Sequence, residues 1–214
     1  MNDIPVNPNN MVETSDSLEA VGVFRAWKNV FFVIVLICLL LTQAAFWAVD
    51  LGFVETTDAT ATSAETEIAD DGLLGGLIGD FDFDLVARAI GVANGILVVA
   101  GILFALTIFF SLMVSLVGRL GGINHISRAF ILSLIMAALI IPWQRLFGSN
   151  VVGVAYWADE LLRWLDAKGE GLPNVIFYYL RFTGLWVIVL LLLIMAQIRS
   201  AHWSKSILRR LEII

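Results

Sequence analysis

Charge and cysteine are both scarce in this sequence. Only 15% of its 214 residues are charged and 59% are hydrophobic, a balance that does not supply the polar surface of a soluble domain of this size. The single cysteine, Cys38, lies inside an apolar run, so the chain alone can form neither an internal disulfide nor a thiolate metal cluster. Lipid is therefore the predicted solvent for much of the protein.

Signatures of catalysis are also missing from the sequence. There is no glycine-rich phosphate loop, no HExxH pair, and no serine, histidine and aspartate set that could meet on one side of a bilayer. No carboxylate lies inside any long apolar run, which counts against a proton-driven transporter. We therefore expect a protein that is not an enzyme and that has no cofactor, no bound metal and no nucleic-acid partner.

Four long apolar runs predict four transmembrane helices. Each run is long enough to cross a hydrocarbon layer about 30 Å thick, since a helix rises about 1.5 Å per residue. The runs are residues 30–49, 90–117, 129–147 and 175–198. The predicted fold class is all-α: a polytopic membrane protein with four transmembrane helices and flanking interfacial amphipathic helices.

The first apolar run has a second interpretation. Arg25 and Lys28, followed by apolar residues and by small residues such as Ala44, have the order of a signal peptide with its cleavage site. The apolar run nevertheless continues through Val49, beyond the point where such a peptide would be cut. We therefore predict a retained helix.

The distribution of lysine and arginine predicts the orientation. Eight of the 13 cations lie beside one set of helix ends, whereas the stretch from Asp50 to Asp84 contains ten acids and no lysine or arginine. The positive-inside rule makes the eight-cation side cytoplasmic, with both termini there. The connecting segments are then a cytoplasmic N-terminal segment with an amphipathic helix (1–29), an acidic outer loop (50–89), a short cytoplasmic turn (118–128), an outer loop with an interfacial helix (148–174) and a basic cytoplasmic tail (199–214).

Arg181 is the most conspicuous charge inside a predicted span. An arginine at the bilayer centre costs about 2.5–3.5 kcal/mol on insertion scales. Arg181, however, lies roughly 9 Å along the helix from Val175, within reach of the outer headgroups. Two interpretations stay open, a snorkelled or locally paired arginine and a substrate or ion site. Arg145 lies near the same face, and the acids that could neutralise either arginine are Asp80, Asp82, Asp84, Asp159 and Glu160.

The alternating acids Asp80, Asp82 and Asp84 have the spacing of the first three ligands of a calcium loop. Leu85 stands where such a loop needs glycine for its turn, and no glutamate occupies the twelfth position. Solvated acids just outside the membrane are the preferred interpretation. The two histidines, His125 and His202, lie at predicted cytoplasmic helix ends, where ordinary interfacial side chains are favoured over a shared metal site.

Small residues recur four apart on two of the predicted helices. This spacing lets helix backbones approach closely in lipid, where no hydrophobic drive brings helices together. The contact could lie within the chain or between subunits. The residues concerned are Gly91, Gly95, Gly101, Ala105, Ser133 and Ala137.

These patterns predict a non-catalytic structural or accessory subunit of a membrane assembly. Its expected partners are the lipid bilayer and other membrane proteins, in a homo- or hetero-oligomer. The alternative is an oligomeric channel or transport protein in which Arg145, Arg181 and the acidic loop form a charged outer vestibule. The compact loops without cysteine favour a bacterial inner membrane as the location.

Overall fold

A computed structural model describes residues 8–55, 81–118, 122–148, 153–168 and 171–210. These ranges are almost entirely helical, which confirms the all-α class. The helices are α1 (Pro8–Asp50), α2 (Phe83–Val117), α3 (Ile123–Ile140), α4 (Trp143–Phe147), α5 (Ala158–Lys168), α6 (Leu172–Tyr179) and α7 (Leu185–Arg210), with a π-helical turn (Leu180–Gly184) joining the last two. One parallel pair of two-residue strands, β1 (Val54–Glu55) and β2 (Phe81–Asp82), brings the end of α1 beside the start of α2.

Four of the helical stretches are long and apolar enough to span a membrane. They are Glu19–Asp50, Phe83–Val117, Ile123–Ile140 and Leu172–Ser206. The chain is therefore an integral membrane protein. The amphipathic segment predicted before the first span is continuous with that span, because no proline interrupts the chain after Pro8 until well beyond Asp50.

The third span lies earlier in the chain than the predicted range of 129–147, because it begins at Ile123 and ends at Ile140. Helix α3 ends at Ile140, and Ile141 has left the helical conformation, with φ −58° and ψ 133°. The cause is Pro142, because proline lacks an amide hydrogen and disfavours helical geometry at the residue before it. The rest of the predicted range turns away as the short helix α4.

The four spans form a bundle in which sequential helices are neighbours. Helix α1 packs along α2, α2 against α3, and α3 against α7, while α1 and α7 also touch. The bundle core holds fully buried side chains from all four spans, among them Leu39, Phe104, Met136 and Leu193. One end of the bundle, here named the acidic end, holds Asp50, α4 and α5; the other, the basic end, holds Arg25 and the end of α7.

Candidate functional site

A short irregular segment at residues 153–157 carries polar backbone into the acidic end. The amide of Val154 donates to the carbonyl of Leu139 at 2.7 Å, and the amide of Gly153 donates to Gln144 Oε1 at 3.1 Å. A Cβ at Gly153 would lie 1.8 Å from the carbonyl oxygen of Ile141, so only glycine permits this approach. The segment is thereby held against the broken end of α3.

Tyr156 connects this segment to the first two spans. Its buried hydroxyl donates to the carbonyl of Thr42 at 2.6 Å, and its own carbonyl accepts a hydrogen bond from the Asn94 side chain. Burial raises the pKa of the Tyr156 phenol above its ordinary value, against the opposing charge of nearby Arg181. The phenol therefore stays a neutral donor at physiological pH.

Arg181 lies in the π-helical turn, beside Tyr156. Its side chain is 4% exposed, and its Nη2 and Nε donate to Glu160 Oε1 at 2.9 and 3.2 Å. Glu160 belongs to the first turn of α5, and its Oε2 accepts a hydrogen bond from Gln144 Nε2 at 3.0 Å. These three residues, Arg181, Glu160 and Gln144, are here named the arginine cluster.

The arginine cluster combines two features with different consequences. The ion pair of Arg181 with Glu160 is charge-balanced and mostly buried, as expected of a structural contact between α5 and the last helix. Nevertheless, Arg181 Nη1 is buried without a hydrogen-bond partner in the described part of the chain, and π-helical turns occur frequently at functional sites. Within the described ranges, no three histidine, cysteine, aspartate or glutamate side chains are grouped to hold a metal ion.

A second ion pair ties the end of α1 to α5 and α6. Lys168 Nζ lies 2.6 Å from Asp50 Oδ1 and 3.0 Å from the Tyr179 hydroxyl, which itself donates to Asp50 Oδ2 at 3.1 Å. The ammonium also lies 4.9 Å from the ring centroids of Tyr178 and Tyr179. Burial alone would lower the pKa of Lys168, but the bonds to Asp50 and Tyr179 outweigh it and raise that pKa above the ordinary value.

The predicted acids and Arg145 have separate placements. Asp84 is exposed and pairs with Arg88 at 2.7 Å, one helical turn away. Asp80 lies outside the described residues, as do the side chains of Asp82 and Arg145. Among the described acids that could neutralise Arg181, Glu160 contacts it. The charged outer vestibule of Arg145, Arg181 and the acidic loop stays a prediction.

The small residues predicted for helix packing fall into two groups. An added Cβ would lie 3.0 Å from the Ile140 side chain at Gly101 and 3.6 Å from that of Trp157 at Gly91, so both glycines make contacts within the chain. Gly95, by contrast, is exposed and has open space beside it. The other three are buried, namely Ala105, Ser133 and Ala137.

Two apolar grooves run between α1 and α2. The larger has a volume of about 460 Å³ and lies nearer the acidic end, and its lining includes five alanines, Ala44, Ala45, Ala48, Ala89 and Ala93. The second has a volume of about 310 Å³ and is bordered by Gly95 together with Phe31 and Val99. Arg181 lines neither groove.

Several residues of the acidic end were not anticipated from the sequence. Gln144 and Tyr156 lie in segments without periodicity, and Lys168 and Asp50 are separated by 118 positions. The only sequence signal for the pair of Lys168 with Asp50 is that each of these charged residues ends an otherwise amphipathic or apolar helix.

No protein-family model, curated protein or solved structure matches the chain. Its function therefore has to be argued from its own geometry.

Proposed function

We propose that the chain is a non-catalytic structural or accessory subunit of a membrane assembly. The observation that carries this proposal is the pair of apolar grooves between α1 and α2. Transmembrane helices associate through close packing against small residues, because lipid removes the hydrophobic drive between them. The alanines of the larger groove and Gly95 of the smaller one offer such a surface to a helix of a partner.

The charges at the acidic end support the same proposal. The buried Arg181 and the partly exposed Lys168 are both neutralised by carboxylates of the same chain. Their pairs join α1, α5, α6 and the π-helical turn, so the ionic groups stabilise the bundle itself. A fixed bundle with an open small-residue surface is what a subunit of a larger assembly requires.

The test is affinity purification from membranes in mild detergent, followed by mass spectrometry. We expect a stoichiometric membrane-protein partner with the parent chain. The double variant Ala44→Leu/Ala89→Leu fills the larger groove at two exposed positions and should lose that partner. Ala138→Leu, at an exposed position of α3, is the matched control and should retain it. A lone homo-oligomer, or a partner unaffected by the groove variant, contradicts the proposal.

An oligomeric channel or transport protein is the second candidate function. It is favoured by one observation, the unpartnered Nη1 of Arg181 in a π-helical turn. Purified chain in liposomes should pass no ions or small solutes if the accessory function holds. A flux that Arg181→Ala abolishes, and that Arg163→Ala at an exposed position leaves intact, would support the channel instead.

A further inference from the structure

Helices α3 and α7 bring two histidines together at the basic end. The rings of His125 and His202 are both exposed, and their centroids lie 6.4 Å apart. Arg128 follows His125 by three positions and Arg199 precedes His202 by three, so each arginine shares a side of its helix with the neighbouring histidine. These four residues are here named the basic seam.

No ion pair among the described residues includes a member of the basic seam. Lys205, exposed and one turn beyond His202, adds a further cation. All three ion pairs among the described residues lie at the acidic end, namely Arg88 with Asp84, Lys168 with Asp50, and Arg181 with Glu160. Cations gathered without a counter-charge raise the local potential and attract an anion.

A transition metal is the competing ligand for two facing imidazoles. Arg128 and Arg199 flank the histidines and repel a divalent cation electrostatically. In the described ranges, moreover, the histidines belong to no group of three or more metal-ligating side chains. The charges of the basic seam therefore favour an anion over a metal ion.

Toward the middle of the membrane the same side of the two helices becomes apolar. Ile135 lies two helical turns beyond Arg128, and Met195 lies one turn before Arg199. Their exposed fractions are 46% and 45%. A cationic site that continues into exposed apolar surface matches the anionic headgroup and the acyl chains of a phospholipid. A soluble phosphate would contact only the cationic site.

We propose that the basic seam binds the headgroup of an anionic phospholipid. Arg128 and Arg199 hold its phosphate, and its acyl chains lie along Ile135 and Met195. Basic pockets between transmembrane helices are known to bind anionic headgroups in this way. The proposal is independent of the accessory-subunit function, because it concerns the bilayer and a different pair of helices.

The test is native mass spectrometry of the full chain released from nanodiscs that contain equal amounts of phosphatidylglycerol and phosphatidylcholine. The parent chain should retain phosphatidylglycerol preferentially. Removing two surface cations with Arg128→Gln/Arg199→Gln should weaken its binding about 30-fold. The control Arg25→Gln/Arg88→Gln removes two exposed arginines elsewhere and should change binding less than about threefold.

Three results would overturn the proposal: a parent chain without lipid preference, a control variant as impaired as the seam variant, or displacement of the lipid by an equal concentration of inorganic phosphate. The last result would assign the site to a soluble anion. Size-exclusion profiles check that the variants remain folded. If the double variant does not, the single variants Arg128→Gln and Arg199→Gln, each expected to weaken binding about fivefold, replace it.

Discussion

The two ends of the bundle hold their cations in different ways. At the acidic end, Arg181 contacts Glu160 and Lys168 contacts Asp50, so each cation faces a carboxylate. At the basic end, Lys28 is 4% exposed, and its ammonium donates to Ser200 Oγ at 3.1 Å. No ion pair among the described residues includes Lys28. The acidic end is therefore stabilised by opposite charges, whereas the basic end leaves its cations to neutral partners and to lipid.

The largest expected effect follows from removing the carboxylate of the buried pair at the acidic end. Glu160→Ala leaves the Arg181 guanidinium buried without a counter-charge, which should lower the free energy of unfolding by about 3–5 kcal/mol. Unfolding of the detergent-solubilised protein by heat or by sodium dodecyl sulfate, followed by circular dichroism, measures the loss.

Two variants serve as controls for this effect. Asp159→Ala removes the exposed neighbouring carboxylate and should change stability by less than about 0.5 kcal/mol. Glu160→Ala/Arg181→Met removes both charges and should recover much of the loss, because the penalty arises from the unpaired guanidinium. A double variant no more stable than Glu160→Ala would show that the pair itself is not the source.

The second prediction compares a glycine at each end. Gly153→Ala forces a Cβ against the Ile141 carbonyl, a backbone group that cannot turn aside, and should cost about 3 kcal/mol. At the basic end an added Cβ at Gly122 would lie 2.8 Å from Ser206 Oγ, which can rotate, and 3.1 Å from the Trp203 ring, which has to shift slightly; φ +71° adds backbone strain. Together these should cost about 1–2 kcal/mol. Equal losses of stability in the thermal unfolding of the two variants would contradict this difference between the two ends.

The third prediction concerns Lys28 itself. Lys28→Met replaces a buried, unneutralised ammonium by an apolar side chain of similar length, so the free energy of unfolding should rise by about 1 kcal/mol. Lys168→Met at the other end strands the Asp50 carboxylate and should have the opposite sign. The same unfolding measurement decides, and a destabilised Lys28→Met would contradict the prediction.

The smallest expected effect is a pH dependence at the acidic end. Because the folded-state pKa of Lys168 is raised above its unfolded value of about 10.4, its stabilising contribution is complete below that pH and is lost as pH rises through the folded value. Lys168 is partly exposed, so this contribution should stay below about 1 kcal/mol.

The measurement is the thermal midpoint as a function of pH. For the parent it should fall above about pH 10.5, and the fall should be smaller in Lys168→Met. A midpoint that falls equally in both proteins would exclude Lys168 as the cause.

The four spans were predictable because a long apolar run indicates directly that a segment lies in lipid. Residues 30–49 and 90–117 lie wholly inside α1 and α2, and the predicted fourth span lies inside the helix that begins at Leu172. The predicted end of the third span, residue 147, was wrong, although Pro142 was visible in the sequence and marks where a helix stops.

The ion pairs of the acidic end were harder to predict from the sequence, because the paired residues are distant along the chain. Glu160 was one of five candidate acids for Arg181, and the predicted orientation put all five on the same side of the membrane. Choosing Glu160 among them requires knowing that Gly153 allows the chain to pack closely against the end of α3. This packing places α5 beside the π-helical turn. Neither the close approach at Gly153 nor the π-helical turn has a periodic sequence pattern from which it could be predicted.

The broken end of α3 has a consequence for biogenesis. The carbonyl of Leu139 obtains its donor from Val154, fifteen residues later in the chain. While the ribosome is still making that stretch, the carbonyl has to be hydrated, because an unpaired one in hydrocarbon costs several kcal/mol. We therefore expect the third helix to reach its final depth only after the following segment has been synthesised and has docked.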